Sequence, residues 1–171
     1  MNQRIRTIFK SICKANDKII NSREKVCSLA FAITKKRIIS LPLIIKGSEE
    51  KEILKFLFKK FITSQKDLEA YIIILDTYMT IFDKKAEKGV VMDAIIRAVY
   101  TPTEKEMIAV PYKDGKILKD KIQKIIGRDK NQRDEWDIWG KGWDETDKQD
   151  ANINGQYQKF KEENPEKYKE L

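Results

Sequence analysis

Apolar and polar residues separate first in the opening stretch of the chain. On a helical wheel Ile5, Ile8, Phe9, Ile12, Cys13, Ile19 and Ile20 share one arc, and Arg4, Arg6, Lys10, Lys14 and Lys18 lie opposite. Asn16 interrupts the apolar arc and Asp17 the basic one. A second apolar stretch, 26–34, is followed by Lys35-Lys36-Arg37 and then by apolar residues 38–45. Three adjacent charges exclude a membrane span there, and Pro42 interrupts any helix over the second half.

Further on, Gly47-Ser48-Glu49-Glu50 reads as a loop, an N-cap and first-turn acids. It predicts a helix to about Thr63 with a broad apolar surface. Ser64 with Asp67 approximates a capping box for a next helix. In that helix Leu68, residues 71–75, Tyr78, Met79, Ile81 and Phe82 are apolar round most of the circumference, as in a central or partner-buried helix. After a charged stretch over 83–89, Val91, Ile95, Ile96, Ala98 and Val99 suggest a helix over 90–100. Thr101-Pro102-Thr103-Glu104 stacks three start signals for another, which Pro111 must end. Asp114-Gly115 marks a turn. A hairpin of 107–110 with 116–118 competes there with a loop followed by a helix. The spacing of Ile117, Leu118, Ile122, Ile125 and Ile126 favours the helix. The fold expected is therefore mainly α: an irregular bundle of four to six helices, with a basic amphipathic N-terminal helix and an extended polar C-terminal arm. The segments are 1–46, 47–127 and 128–171.

Charge sharpens this division. Residues 1–46 carry eleven Lys or Arg against Asp17 and Glu24, a net of +9, and the other 125 residues net −1. The basic end implies an anionic contact surface made by Arg4, Arg6, Lys10, Lys14, Lys18, Lys35, Lys36 and Arg37, whether nucleic acid, lipid headgroups or an acidic protein, against the alternative of a core helix whose lysines simply face water. The end also has the basic, amphipathic, acid-poor character of a mitochondrial targeting sequence. Charged residues make up 36% of the chain, so much of it is solvated surface, and scarce Gly (7) and Pro (4) favour helices over a turn-rich fold. Cys13 and Cys27 form no CxxC pair or disulfide framework, which points to an intracellular, reducing compartment, with mitochondrion or virion as candidate settings.

The chain has no histidine, and no phosphate-cradling loop, nucleophile elbow or metal cluster can be assembled. No catalytic residue, cofactor, small-molecule substrate or metal is assigned. From Arg128 onward only ten of 44 residues are apolar or aromatic, yet all three tryptophans, Trp136, Trp139 and Trp143, lie there. They are candidates for docking on a neighbouring subunit, against the alternative of an arm folded onto its own body. One stretch resembles an EF-hand calcium loop. Asp150, Asn152 and Asn154 alternate as oxygen donors and Gly155 stands sixth, but Lys161 occupies the twelfth position with Glu162 one place late. A polar Asn-Gly turn explains the same residues.

The function expected from these features is that of a non-catalytic accessory or structural subunit of a multi-protein assembly, such as an organellar membrane complex, a ribonucleoprotein or a viral particle. It would be anchored by the N-terminal helix and the tryptophan arm, with other protein subunits as partners. The alternative is a nucleic-acid-binding protein using the basic N-terminal segment.

Overall fold

The computed structural model describes residues 1–43, 48–83, 88–127, 134, 136–139 and 162. Among them are two α-helices and seven strands, in the order α1 (Gln3–Asn21), β1 (Leu29–Thr34), β2 (Ile38–Pro42), α2 (Ser48–Thr63), β3 (Leu68–Asp83), β4 (Lys88–Tyr100), β5 (Lys105–Lys113), β6 (Lys116–Ile117) and β7 (Gln123–Ile126), with a single 3-10 turn at Lys119–Lys121. The mainly α bundle is thus corrected to a mixed α/β fold dominated by an antiparallel sheet. Both amphipathic predictions at helix starts hold, α1 and α2, but the helices expected over 68–82 and 90–100 are strands, and the one expected over 116–126 is two short strands around the 3-10 turn. The apolar stretches on either side of Lys35–Arg37 are strands as well.

The physical reason lies in the side chains. The long apolar run of β3 contains Ile72, Ile73, Ile74, Thr77, Tyr78, Thr80 and Ile81, and β-branched and aromatic residues suit a pleated surface. Ala70, Tyr71, Ile72, Ile73 and Ile74 are all buried, so both faces of the strand are apolar and no alternation remains to reveal the period of two. The three start signals at Thr101 make a β-turn instead. The Thr101 hydroxyl accepts from the Glu104 N–H (2.8 Å), the Thr101 N–H donates to the Glu104 carbonyl (2.9 Å), and the chain reverses from β4 into β5. At Asp114-Gly115 the hairpin is formed. Both residues have positive φ (51° and 74°) between paired Lys113 and Lys116, the geometry a two-residue type I′ turn requires.

The chain divides into two compact units, Met1–Leu43 with Gln65–Arg128, and Ile44–Ser64 with Asp129–Leu171. In the first, the strands run β2-β1-β3-β4-β5, and β6 and β7 both pair with β5. Register places Ile33, Phe31, Ile72, Ile74, Ile95, Val99 and Ile108 on one face of the sheet. The apolar arc of α1 packs onto that face: Ile5, Phe9 and Ile20 are buried with Val26, Ile33, Ala70, Ile72, Ile74, Ile95 and Val99. Burying a side chain of this size stabilises by about 1.5–3 kcal/mol each. Asn2 caps α1, its carboxamide oxygen accepting from the Ile5 N–H at 2.9 Å. On the opposite face Tyr71 and Tyr100 are buried and stack at 4.7 Å.

In the second unit α2 buries Ile53, Leu54, Phe56, Phe58 and Ile62. Trp136 meets Phe58 edge-on at 5.3 Å.

Candidate functional site

Where α1 stops, the sheet face it covers becomes polar and exposed. Asp76 lies opposite Ile95 in the β3–β4 ladder and Asp93 opposite Tyr78, so Asp76, Tyr78 and Asp93 share the face that α1 covers elsewhere. Tyr112 of β5 is on the same face, half-buried against the core, and its hydroxyl donates to Asp76 Oδ1 at 3.1 Å. The Asp76 N–H donates to Ser28 Oγ at 2.9 Å, which ties this point to the loop leaving α1. Burial pushes the Tyr112 phenol up to about 12, and the negative charges of Asp76 and Asp93 add to the rise. Asp76 is itself raised, first by burial and then by Asp93, while the Tyr112 hydrogen bond and Lys25 pull it the other way.

Beside Tyr112 an open groove of about 360 Å³ is lined by Ile20, Arg23, Glu24, Tyr112, Asp114 and Gly115. Two backbone features build it. The first is the end of α1, where Arg23 N–H donates to the Ile20 carbonyl and Glu24 N–H to the Ile19 carbonyl, the paired bonds of a Schellman ending. That ending needs a left-handed residue, and here it is Arg23 at φ 60° rather than glycine. The second is the Asp114-Gly115 turn, which presses against it. A Cβ on Gly115 would stand 2.4 Å from Arg23 Cγ and 3.2 Å from the Ile20 carbonyl oxygen. A non-glycine residue held in this conformation costs of order 1–3 kcal/mol, and such residues cluster at ligand sites.

Tyr112 is the wall common to the groove and the carboxylate cluster. Around it stand Glu24, Asp76, Asp93 and Asp114 with Arg23 and Lys25, while Lys18 lies in the last turn of α1 and Lys113 and Lys116 flank the Asp114-Gly115 turn. Tyr78, 73% exposed, offers a second ring beside Asp93. Carboxylates and aromatic faces together suit a desolvated cation.

No family model, curated protein or solved structure matches the chain. The site is therefore read from its own chemistry.

The basic residues named from the sequence are divided by the fold. Arg4 is committed to structure, forming an ion pair with Glu69 and donating to the Thr34 carbonyl at 2.9 Å. That bond brings the turn carrying Lys35, Lys36 and Arg37 to the N-terminal end of α1. The Thr34 hydroxyl holds the turn by accepting from the N–H groups of Lys36 and Arg37. Arg6, Lys10, Lys14 and Lys18 follow at four-residue steps along the exposed side of α1, a row about 18 Å long. Because the apolar arc of α1 is buried in the sheet core, that arc is not offered to a membrane or a partner. The expected role of an all-helical accessory subunit anchored by this helix is corrected accordingly. The basic N-terminal segment named for the nucleic-acid alternative is part of a folded sheet domain, and its row of cations on α1 stays exposed.

Of the tryptophans, Trp136 and Trp139 are half-buried in the second unit. Their backbone N–H groups donate to the carboxylates of Asp134 (3.0 Å) and Asp137 (3.1 Å). Trp143 and the calcium-like stretch from Asp150 to Lys161 lie outside the described residues. Among the described residues no group of three or more His, Cys, Asp or Glu is placed to hold a metal ion, and no helix is long and apolar enough to cross a membrane.

Sequence reasoning missed Asp76, Asp93, Tyr112 and the groove. The signal was there in part, since Asp76 and Asp93 are single acids inside apolar runs. Read as helices, those runs placed the acids on unrelated surfaces.

Proposed function

We propose that this chain is a ligand-binding domain whose site, at the polar end of the helix-covered sheet face, takes a small organic cation. The observation that carries the reading is Tyr112, which lines the groove and donates its hydroxyl to Asp76. The groove volume of about 360 Å³ lies in the range of small-molecule sites. The charged groove lining is Glu24 and Asp114 against Arg23, and Asp76 and Asp93 act on Tyr112 beside it, which favours a positive ligand in a chain whose overall charge is +8. An ammonium over the ring and near the carboxylates gains cation–π and ion-pair attraction together.

Calorimetric titration of the full chain with choline and spermidine, against acetate and phosphate, tests this. Binding of a cation that weakens at least tenfold in an Asp76→Asn, Asp93→Asn double variant is expected. Anions binding as well as cations, or no change in the double variant, would refute it.

A further inference from the structure

We infer that the exposed side of α1 and the turn between β1 and β2 form one surface that binds double-stranded nucleic acid along its phosphate backbone. Arg6, Lys10, Lys14 and Lys18 are all exposed and stand about 6 Å apart along a helix whose opposite arc is fixed in the core. Lys35, Lys36 and Arg37 are exposed too, and the Arg4 bond to the Thr34 carbonyl sets them at the N-terminal end of the same helix. Three acids that border this surface are already engaged. Asp17, the only acid in α1, is turned to Arg97, while Glu69 pairs with Arg4 and Glu104 with the Met1 amino group. Among the described residues no carboxylate pairs with Lys10, Lys14, Lys18, Lys35, Lys36 or Arg37. Their charge is therefore left to an outside partner.

Charge complementarity calls for a polyanion, and the make-up of the patch selects among polyanions. A helix lying on a membrane sinks its apolar arc into the headgroup boundary. Here that arc is buried against the sheet, and Ala15 is the only apolar residue of α1 that is exposed. Single-stranded nucleic acid is held by stacking its bases on aromatic rings, and neither α1 nor residues 34–38 expose one. A duplex needs neither feature. It carries one phosphate per about 1.7 Å of its axis, so the row of about 18 Å runs beside roughly ten of them. Exposed Thr7 and Ser11 stand next to the row on the helix, where their small side chains let a backbone approach and offer it hydroxyl donors. Contacts of this kind fix a duplex in place without reading its sequence.

Fluorescence anisotropy of the full chain with a labelled DNA duplex of about 20 base pairs, across about 50–200 mM salt, tests this. The logarithm of affinity should fall with the logarithm of salt at a slope between about −4 and −6, the value for roughly five to seven neutralised phosphates. One triple variant carries Lys10→Gln, Lys14→Gln and Lys18→Gln, and a second carries Lys35→Gln, Lys36→Gln and Arg37→Gln. Each should weaken binding at least about tenfold and flatten the slope by about 2 to 3. A control with Lys88→Gln, Lys119→Gln and Lys121→Gln removes the same charge from other exposed positions and should leave both quantities near those of the unmodified chain. A slope near zero, or losses in the control equal to those in the two variants, would overturn the inference. So would tighter binding, at the same salt, to single-stranded DNA of that length, to poly-glutamate, or to vesicles of phosphatidylserine and phosphatidylcholine. Circular dichroism confirms that each variant is folded before it is scored.

Discussion

Asp17→Ala should destabilise this protein by about 2–3 kcal/mol, although the residue lies on the surface of a helix. Arg97 sits in β4 on the face under α1, opposite Ile74 and Ile108, and is 3% exposed. Its Nε donates to Asn16 Oδ1 at 2.7 Å and its Nη2 to Asp17 Oδ1 at 2.6 Å. A hydrogen bond to a charged group is worth about 1.5–3 kcal/mol, and stranding one partner of a buried ion pair costs about 3–5 kcal/mol. The Asp17 side chain is 43% exposed while that of Arg97 is 4% exposed. Water can therefore replace part of the lost carboxylate, and the expected cost stays in the upper part of the first range. Asn16→Ala removes the wholly buried partner and should cost a similar amount.

The combined Asn16→Leu, Asp17→Ala, Arg97→Met variant removes the buried charge with its partners and should recover to within about 1 kcal/mol of wild type. Urea denaturation followed by far-ultraviolet circular dichroism measures all of these. A loss below about 0.5 kcal/mol for Asp17→Ala, which is the range of an ordinary surface change, would refute the pairing argument. So would a triple variant as unstable as the worst single one.

Three further outcomes follow from the site. With its phenol pushed up to about 12, Tyr112 holds its proton in the folded state where the unfolded chain has released it. Stability should therefore fall as pH rises from about 10 through 12, and Asp76→Asn should bring the Tyr112 titration, followed by tyrosinate absorbance, back toward the ordinary phenol value of about 10. Arg23→Gly relieves a left-handed φ of 60° and should raise stability by about 1 kcal/mol in urea denaturation, and by removing a positive charge from the groove lining it should strengthen cation binding. Gly115→Ala should destabilise by at least about 1 kcal/mol, because the new Cβ meets Arg23 Cγ at a residue with φ 74°. Arg23→Gly in the same chain should restore part of that loss.

How far the sequence could be read depended on how many faces of each element are buried. α1 buries one stripe and exposes the row Arg6, Lys10, Lys14 and Lys18, so its period of 3.6 was visible. The start of α2 was marked by Ser48 and the acids after it. β3 and β4 bury both faces over 70–74 and 97–100, so apolar content there carries no period at all, and a wheel accepts it as a central helix. What separated the two cases was side-chain shape. Ile72, Ile73 and Ile74 in a row are costly in a helix and favoured in a strand, whereas α2 has Leu54, Lys55, Phe56 and Leu57 at the same stage. Asp114-Gly115 was recognised as a turn, but isoleucines at 117, 122, 125 and 126 satisfied a helical spacing that the strands use for other reasons.

The polar residues that spoiled each pattern prove more informative than the apolar residues that made it. Asn16 and Asp17 broke the two faces of α1, and both turn out to hold Arg97, a residue 81 and 80 positions away. Asp76 and Asp93 broke the apolar runs of β3 and β4, and both lie about Tyr112. In each case a polar group inside an apolar run is kept because another element carries its partner. The two clusters differ in closure. Arg97 and Asn16 are sealed beneath the helix, where a ligand cannot reach them and every polar atom must be satisfied from within. The Asp76–Tyr112 pair opens on a groove next to exposed Tyr78, so its remaining capacity faces outward. Substitution at the sealed cluster should therefore change stability, and substitution at the open one should change binding while leaving stability near that of wild type. Denaturation and titration of Asn16→Ala and Asp93→Asn side by side separate the two effects, and equal losses of stability in both would show that the open cluster is structural as well.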